Sequence, residues 1–394
     1  MKWQAISKPK NLFTWMFMLL LSITSLHADS VVEGYTSCSI QEAIDMEAAR
    51  GGGIVFCPKG EYILRNAIYL KSNVKLKGQG KTTVFKKCPR YTSRITAEIT
   101  KGDYWIHIED ASSFQCGDGI TVFSQSLKPA RAWVTEVVEI APGALCLQDA
   151  APFEVCLSSQ PFVFCSFPCL YCKGVKNISV YDLSIDGNRQ ENPVIDTWWD
   201  SGIGCRDSEE IEINNVRVIG AAGDGVSLNT SHHVSITDSE INGSARLGVH
   251  VGSGSQYTYI GNSKICNSGL AGVINVDGLY LCFSAAFGLY ENNVITGTRG
   301  AGLSIGRWDS GNIFLKNKVS DNGIGLLFRE DSFETANITF LQNEIGNNHS
   351  WNLLMRKPVY NIFMDVWPEK RSSHPQASFL YYFDFYKNTW LRFQ

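Results

Sequence analysis

Four residues of this sequence have the types and spacing to move a proton: Asp224 in GAAGDGVSLN, Arg246 and His250 in ARLGVHVG, and Asp277 in AGVINVDG. An imidazole with a carboxylate partner can take a proton from a carbon acid, while a guanidinium steadies a neighbouring carboxylate on the molecule that loses it. Abstraction at C5 of a uronic acid has those requirements. In that reading His250 is the base, Arg246 or Arg206 neutralises the carboxylate, and Asp277 orients the imidazole or holds a cation. Two placed carboxyl groups, Asp224 and Asp277, would instead suit hydrolysis of a glycosidic bond.

These residues can meet only if the chain repeats. It does: a strand motif returns as DGVSLN, LGVHVG, AGVINVDG, AGLSIG and IGLLFR, and Gly202, Gly225, Gly248, Gly272, Gly302 and Gly325 are spaced 23, 23, 24, 30 and 23 residues apart. A single period of this length is the mark of a stacked solenoid, in which each unit buries its apolar side against its neighbours. Within each unit apolar residues alternate, as in Val234-Ser235-Ile236, and no helical period persists. A second strand in each unit ends near Asn214, Asp238, Asn262, Asn292, Asn317 or Asn343. Asn and Asp suit such bends, and the expectation is an inward ladder of these side chains. Short strands, polar corners and this period predict an all-β, single-stranded right-handed parallel β-helix.

In such a stack equivalent positions lie about 4.8 Å apart, so outward columns can be written down. One is expected to read Gly204, Ser227, His250, Asn275, Ser304, Leu327, and its neighbour Arg206, Asn229, Gly252, Asp277, Gly306, Arg329. Ser227, Asn229, Asn275 and Arg206 would then contact substrate around His250. The loop from Arg189 to Asp200 adds Trp198 and Trp199, whose faces suit the apolar face of a pyranose or else pack beneath their own loop.

Residues 1–28 have the pattern of a signal peptide, with Lys2, Lys8 and Lys10 before the apolar run Trp15 to Leu21 and a cleavage site after Ala28. This predicts a secreted, periplasmic or cell-envelope protein with no stable membrane span once the leader is removed. Twelve cysteines suit that setting, although their connectivity cannot be read from sequence. Cys165, Cys169 and Cys172 lack a fourth Cys or His nearby to complete a tetrahedral metal site. Calcium stays open as a cofactor. A formal net charge of −3 with interspersed signs offers no basic stripe of the kind that neutralises phosphates, so nucleic acid is not the expected partner.

After the leader, Ser39-Ile40-Gln41-Glu42 has the form of a capping box opening a short helix to about Arg50, placed to close one end of the solenoid. Residues 29–350 would form the β-helix, with an irregular β-rich insertion or widened rungs at 100–160, and 351–394 an aromatic C-terminal cap or tail. The run SIQEAIDMEAARGGGIVFCPKGEYIL, followed by LKSNVKLKGQG, resembles the N-terminal module of pectate-lyase-like β-helix proteins, which include polysaccharide lyases, polygalacturonase-type hydrolases, epimerases and phage tailspikes. The resemblance implies the fold more than an activity. In the hydrolases an Asp before Gly opens such a strand, an Asp pair follows one rung later and a His-Gly on the next. Asp224-Gly225 matches the first element only. The leading expectation is a polysaccharide lyase or other C5-proton-abstracting enzyme on acidic polysaccharide. The alternatives are a glycoside hydrolase with a rearranged carboxyl pair, and a non-catalytic surface β-helix that binds glycan or stiffens an assembly.

Overall fold

The computed structural model describes residues 29–123, 133–194, 199–270, 276–329, 335–355, 361–364, 380–381 and 389–391. The proposed leader, Trp198 and Asn275 lie outside the described residues. Among the described residues one α-helix, Ser37–Ala49, follows the short strand Ser30–Val31 and precedes a long series of short strands. Its cap is three residues earlier than the sequence suggests: Thr36, not Ser39, is the N-cap, its hydroxyl accepting from Ser39 N (3.2 Å) while Ser39 Oγ accepts from Thr36 N (3.2 Å). Ile40, Ala43 and Ile44 bury one helix face against the first strands.

The strands form parallel stacks in which each rung pairs with the next. In the stack that carries the predicted site, Ile203–Arg206, Val226–Asn229, Val249–Gly252, Leu279–Cys282, Ala301–Ile305 and Ile324–Phe328 follow one another in register. Two apolar columns fill its inner side: Ile203, Val226, Val249, Leu279, Leu303 and Leu326, and beside them Cys205, Leu228, Val251, Leu281, Ile305 and Phe328. All are buried, and each large aliphatic contributes roughly 1.5–3 kcal/mol of transfer free energy. The fold is the expected right-handed parallel β-helix.

The register corrects the sequence expectation at one rung. Gly278, not Gly272, takes the repeat position, so the longer interval falls before Gly278 and the strand there is Leu279-Tyr280-Leu281-Cys282. The glycines are required by closeness: a Cβ on Gly248 would lie 2.4 Å from Ile265 Cγ2 and 2.5 Å from Gly278 O. Gly248→Ala is therefore expected to lower stability by about 1–3 kcal/mol through overpacking, read as a lower denaturation midpoint in urea.

The polar ladder is also shifted. Asp238, Asn262 and Asn292 are left-handed corner residues with φ of 50°, 52° and 54°, and the residue after each points inward. Ser239 N donates to Ser263 Oγ (3.2 Å), Ser263 N to Asn293 Oδ1 (3.0 Å), Asn293 N to Asn317 Oδ1 (3.0 Å) and Asn317 N to Asn343 Oδ1 (2.9 Å). Only Asn317 and Asn343 of the predicted set stand in this chain of bonds. It satisfies backbone amides at a bend that has no ladder partner for them.

The described strands between Thr92 and Cys165 leave the helical path for a six-stranded sheet, paired antiparallel, with its own core around Ile106, Ile120, Val122, Trp133 and Val163. Past Trp351 the described backbone still adds parallel strands at Ile362–Met364, Leu380–Tyr381 and Thr389–Leu391.

Candidate functional site

His250 lies mid-strand on the outward side, between Ser227 on one rung and Tyr280 on the next. Its Nδ1 is 3.6 Å from Asp224 Oδ2 and 3.5 Å from Ser227 Oγ. The ring stacks on Tyr280 at 5.6 Å between centroids and 12° between planes. On its other edge it leans over Gly252, where a Cβ would lie 2.5 Å from Nε2, and it interacts with the Cys282 thiol. Glycine at 252 therefore makes room for the imidazole.

Asp224 sits at the turn before its strand and is 1 % exposed. Leu247 N donates to its Oδ1 (3.3 Å), and Arg246 Nε lies 3.8 Å away. Burial disfavours the charged form of His250, but the hydrogen bond and charge of Asp224, with Cys282, outweigh it and carry the imidazole up to about 9. A histidine with 17 % side-chain exposure thus holds a proton at neutral pH. The raised folded-state value means that His250 stabilises the fold fully below its unfolded value near 6.5, and this contribution is lost as pH rises through about 9. Relative to wild type, His250→Gln should narrow the loss of stability between those pH values by at most about 3 kcal/mol, measured by urea unfolding across pH.

Asp277 does not stand beside His250, as the expected column had it. It precedes its strand as Asp224 does, is 3 % exposed, accepts from Ala301 N (2.8 Å) and pairs with Arg329 Nη2. The residue facing His250 is Tyr280, because the extra residues of this unit fall before Asp277 and move the strand. Arg329 closes the arrangement: its Nε donates to Ser304 Oγ (2.8 Å) and its guanidinium lies 4.2 Å from the Tyr280 ring centroid. Tyr280 is thus sandwiched between imidazole and guanidinium. Neither Tyr280 nor Cys282 carries a local motif in the sequence, and Arg329 could be placed on the outward side but not paired.

The remaining predicted contacts gather one or two rungs away. Trp199, Arg206, Ser227 and Asn229 line a depression together with Tyr171. Asn229 Nδ2 donates to Ser227 Oγ (3.3 Å), and Arg206 is exposed, its Nε 3.6 Å from Asp207. Trp199 packs partly on the core and meets Tyr171 edge-on at 5.0 Å. A larger groove, lined by Lys81, Arg217, Asp238, Glu240 and Lys264, lies elsewhere and contains none of the predicted site residues. Among the described residues no three or more His, Cys, Asp or Glu side chains are grouped to hold a metal ion.

A buried ion cluster beneath the Trp199 loop was not foreseen. Asp200 accepts from Lys87 Nζ (2.6 Å) and Ser166 Oγ (2.5 Å), and pairs with Arg90. Burial works against the Asp200 carboxylate, but Lys87 and Arg90 prevail and hold it below the usual carboxylate range. Its backbone carbonyl accepts from Gly223 N (2.7 Å), the residue before Asp224. The cluster thereby fixes the turn from which Asp224 reaches His250.

Residues 201–359 match the model of the right-handed β-helix region, and residues 33–125 match the rhamnogalacturonase A/epimerase, pectate-lyase-like model. The two matches mark the chain as a right-handed parallel β-helix of the pectate-lyase-like kind. Solved structures of similar shape include a hyperthermoactive exopolygalacturonase from Thermotoga maritima, at TM-score 0.54 and 13 % identity over 87 % of this chain and 81 % of that one. PfbA, a surface adhesin of Streptococcus pneumoniae, gives 0.51 and 12 % over 86 % and 77 %. The Dettilon tailspike protein gives 0.50 and 13 %, and the match covers 88 % of this chain but only 53 % of the tailspike. At these identities the likeness is one of fold. No curated protein matches the chain.

Proposed function

We propose that the protein is an exported carbohydrate-active enzyme that abstracts the C5 proton of a uronic acid residue in an acidic polysaccharide, leading to β-elimination or epimerisation. The observation that carries this reading is the outward His250, oriented by Asp224 and stacked on Tyr280, with Arg246 beside Asp224 and Arg329 against the Tyr280 ring. In its neutral form His250 takes the proton. The two guanidinium groups favour negative charge at the substrate carboxylate as it develops enolate character. Tyr280 lies against the base and can return or relay a proton. Trp199, Arg206 and Asn229 lie on the surface that a neighbouring sugar unit would meet; the depression between them, about 10 Å³, has room for no more than a water molecule. The exopolygalacturonase of similar shape agrees with a sugar polymer as substrate.

Hydrolysis by Asp224 and Asp277 is disfavoured by their surroundings. Both are buried, and both are engaged by a backbone amide and an ion-pair partner. A general acid must hold a proton that it can give to the leaving oxygen. Export rests on the basic and apolar leader; no helix among the described residues is long and apolar enough to cross a membrane.

The test incubates the protein without residues 1–28 with acidic and neutral polysaccharides, with and without calcium. Ultraviolet absorbance of unsaturated products, reducing ends and the NMR ratio of C5 epimers are followed together. Absorbance with reducing ends, or a changed epimer ratio, supports the proposal. Reducing ends alone would return the assignment to the carboxyl pair, and binding without any product would make the protein a glycan-binding β-helix.

A further inference from the structure

We propose that Cys88 and Cys165 are a dithiol that closes to a disulfide, tying the antiparallel insertion and the Trp199 loop to the first rungs of the β-helix. Cys88 follows the strand Thr83–Lys87 and Cys165 ends the strand Phe162–Cys165, 77 residues later. Their Sγ atoms lie 3.5 Å apart and both residues are buried. The backbone around both is already held: Cys88 N donates to Leu64 O (2.9 Å) and Cys165 N to Tyr91 O (3.1 Å). Closure to the roughly 2.05 Å of a disulfide asks for rotation of two side chains rather than movement of strands.

The surroundings join this pair to the site. Asn192 Nδ2 donates to Cys88 O (3.0 Å), and Arg90 Nε donates to Cys165 O (3.3 Å) while its Nη2 pairs with Asp200. A bond here clamps the segment that leads to Trp199 and the cluster that positions Asp224. The Cys165 hydrogen bond and the nearby Lys87 charge hold the Cys88 thiol below its usual range, whereas burial pushes that of Cys165 up. Cys88 is also the less enclosed of the two, 3 % exposed against 0 %, and is the first nucleophile, reached before the fold closes over it. As its thiolate it attacks one sulfur of a small disulfide such as oxidised glutathione and releases one glutathione thiolate. Cys165, giving up its proton, then displaces the second. Two electrons pass to glutathione, and the two protons end on the released thiols.

The inference is independent of the glycan reading. The full chain is refolded with oxidised glutathione or with dithiothreitol, alkylated in denaturant and digested, and the peptides are read by mass spectrometry. The oxidised sample should contain the Cys88 peptide linked to the Cys165 peptide, a species lost on reduction. Its melting temperature should exceed that of the reduced protein by about 5 °C, and Cys165→Ala should abolish the difference while Cys116→Ser keeps it. Full alkylation of both thiols in the oxidised wild type, or their linkage to other cysteines, would overturn the proposal whatever the variants do. Cys172 and Cys205, buried register partners on adjacent rungs, are the natural competing pair.

Discussion

Turnover of an acidic polysaccharide should rise about tenfold per pH unit between pH 7 and 9 and level off above about 9. The reason is that His250 acts as a base only when neutral, and its imidazole, raised to about 9 against the opposition of burial, is almost wholly protonated at neutral pH. Asp224→Asn removes the carboxylate that sustains this value and leaves burial to act in the opposite sense. The rising limb of the profile should then move to lower pH, with Cys282 alone left to oppose burial, and the plateau should be lower because the ring has lost its orienting partner. His250→Gln should lower turnover by about 10²–10⁴-fold at every pH. A wild-type profile that falls through pH 9 would mean that the imidazolium, not the imidazole, does the work. An unshifted profile in Asp224→Asn would dissociate that carboxylate from the base.

The second large effect concerns stability. Asp200→Asn leaves Lys87 and Arg90 facing each other with their counter-charge gone, in a place where neither side chain is more than 2 % exposed. Breaking a buried pair from one side typically costs about 3–5 kcal/mol, and here two cations share the one anion. Urea unfolding at pH 7 should show that loss, and turnover should fall as well because Gly223 hydrogen-bonds to Asp200. Wild type should lose the same stabilisation in acid. With the folded-state value of Asp200 depressed, the contribution is present above the unfolded value near 3.9 and disappears as pH falls through the folded one. A variant as stable as wild type would show that the cluster is only a consequence of packing.

His250 could be placed beside Ser227 and near Arg246 from sequence because a 23-residue repeat turns sequence distance into rungs, but Asp224, its actual carboxylate partner, reads there only as one member of a carboxyl pair with Asp277. Asp277 was misplaced by the same arithmetic. Register is a property of pairing, and a unit lengthened before Gly278 carries Asp277 to the turn and Tyr280 to the outward position. Cys282 reached His250 for the same reason. Lys87, Arg90 and Asp200 were out of reach in another way. They lie 113 and 110 residues apart in sequence and meet only because the antiparallel insertion folds back between them.

By itself the sequence determined the parallel β-helix, through glycines where rungs approach too closely for a side chain and aliphatics at every second position. It also determined that a histidine would face outward among polar neighbours. Only the tertiary structure decided which carboxylate serves that histidine, since partners on neighbouring rungs, or more than a hundred residues apart, are chosen by strand register and burial, and neither leaves a local pattern in the chain.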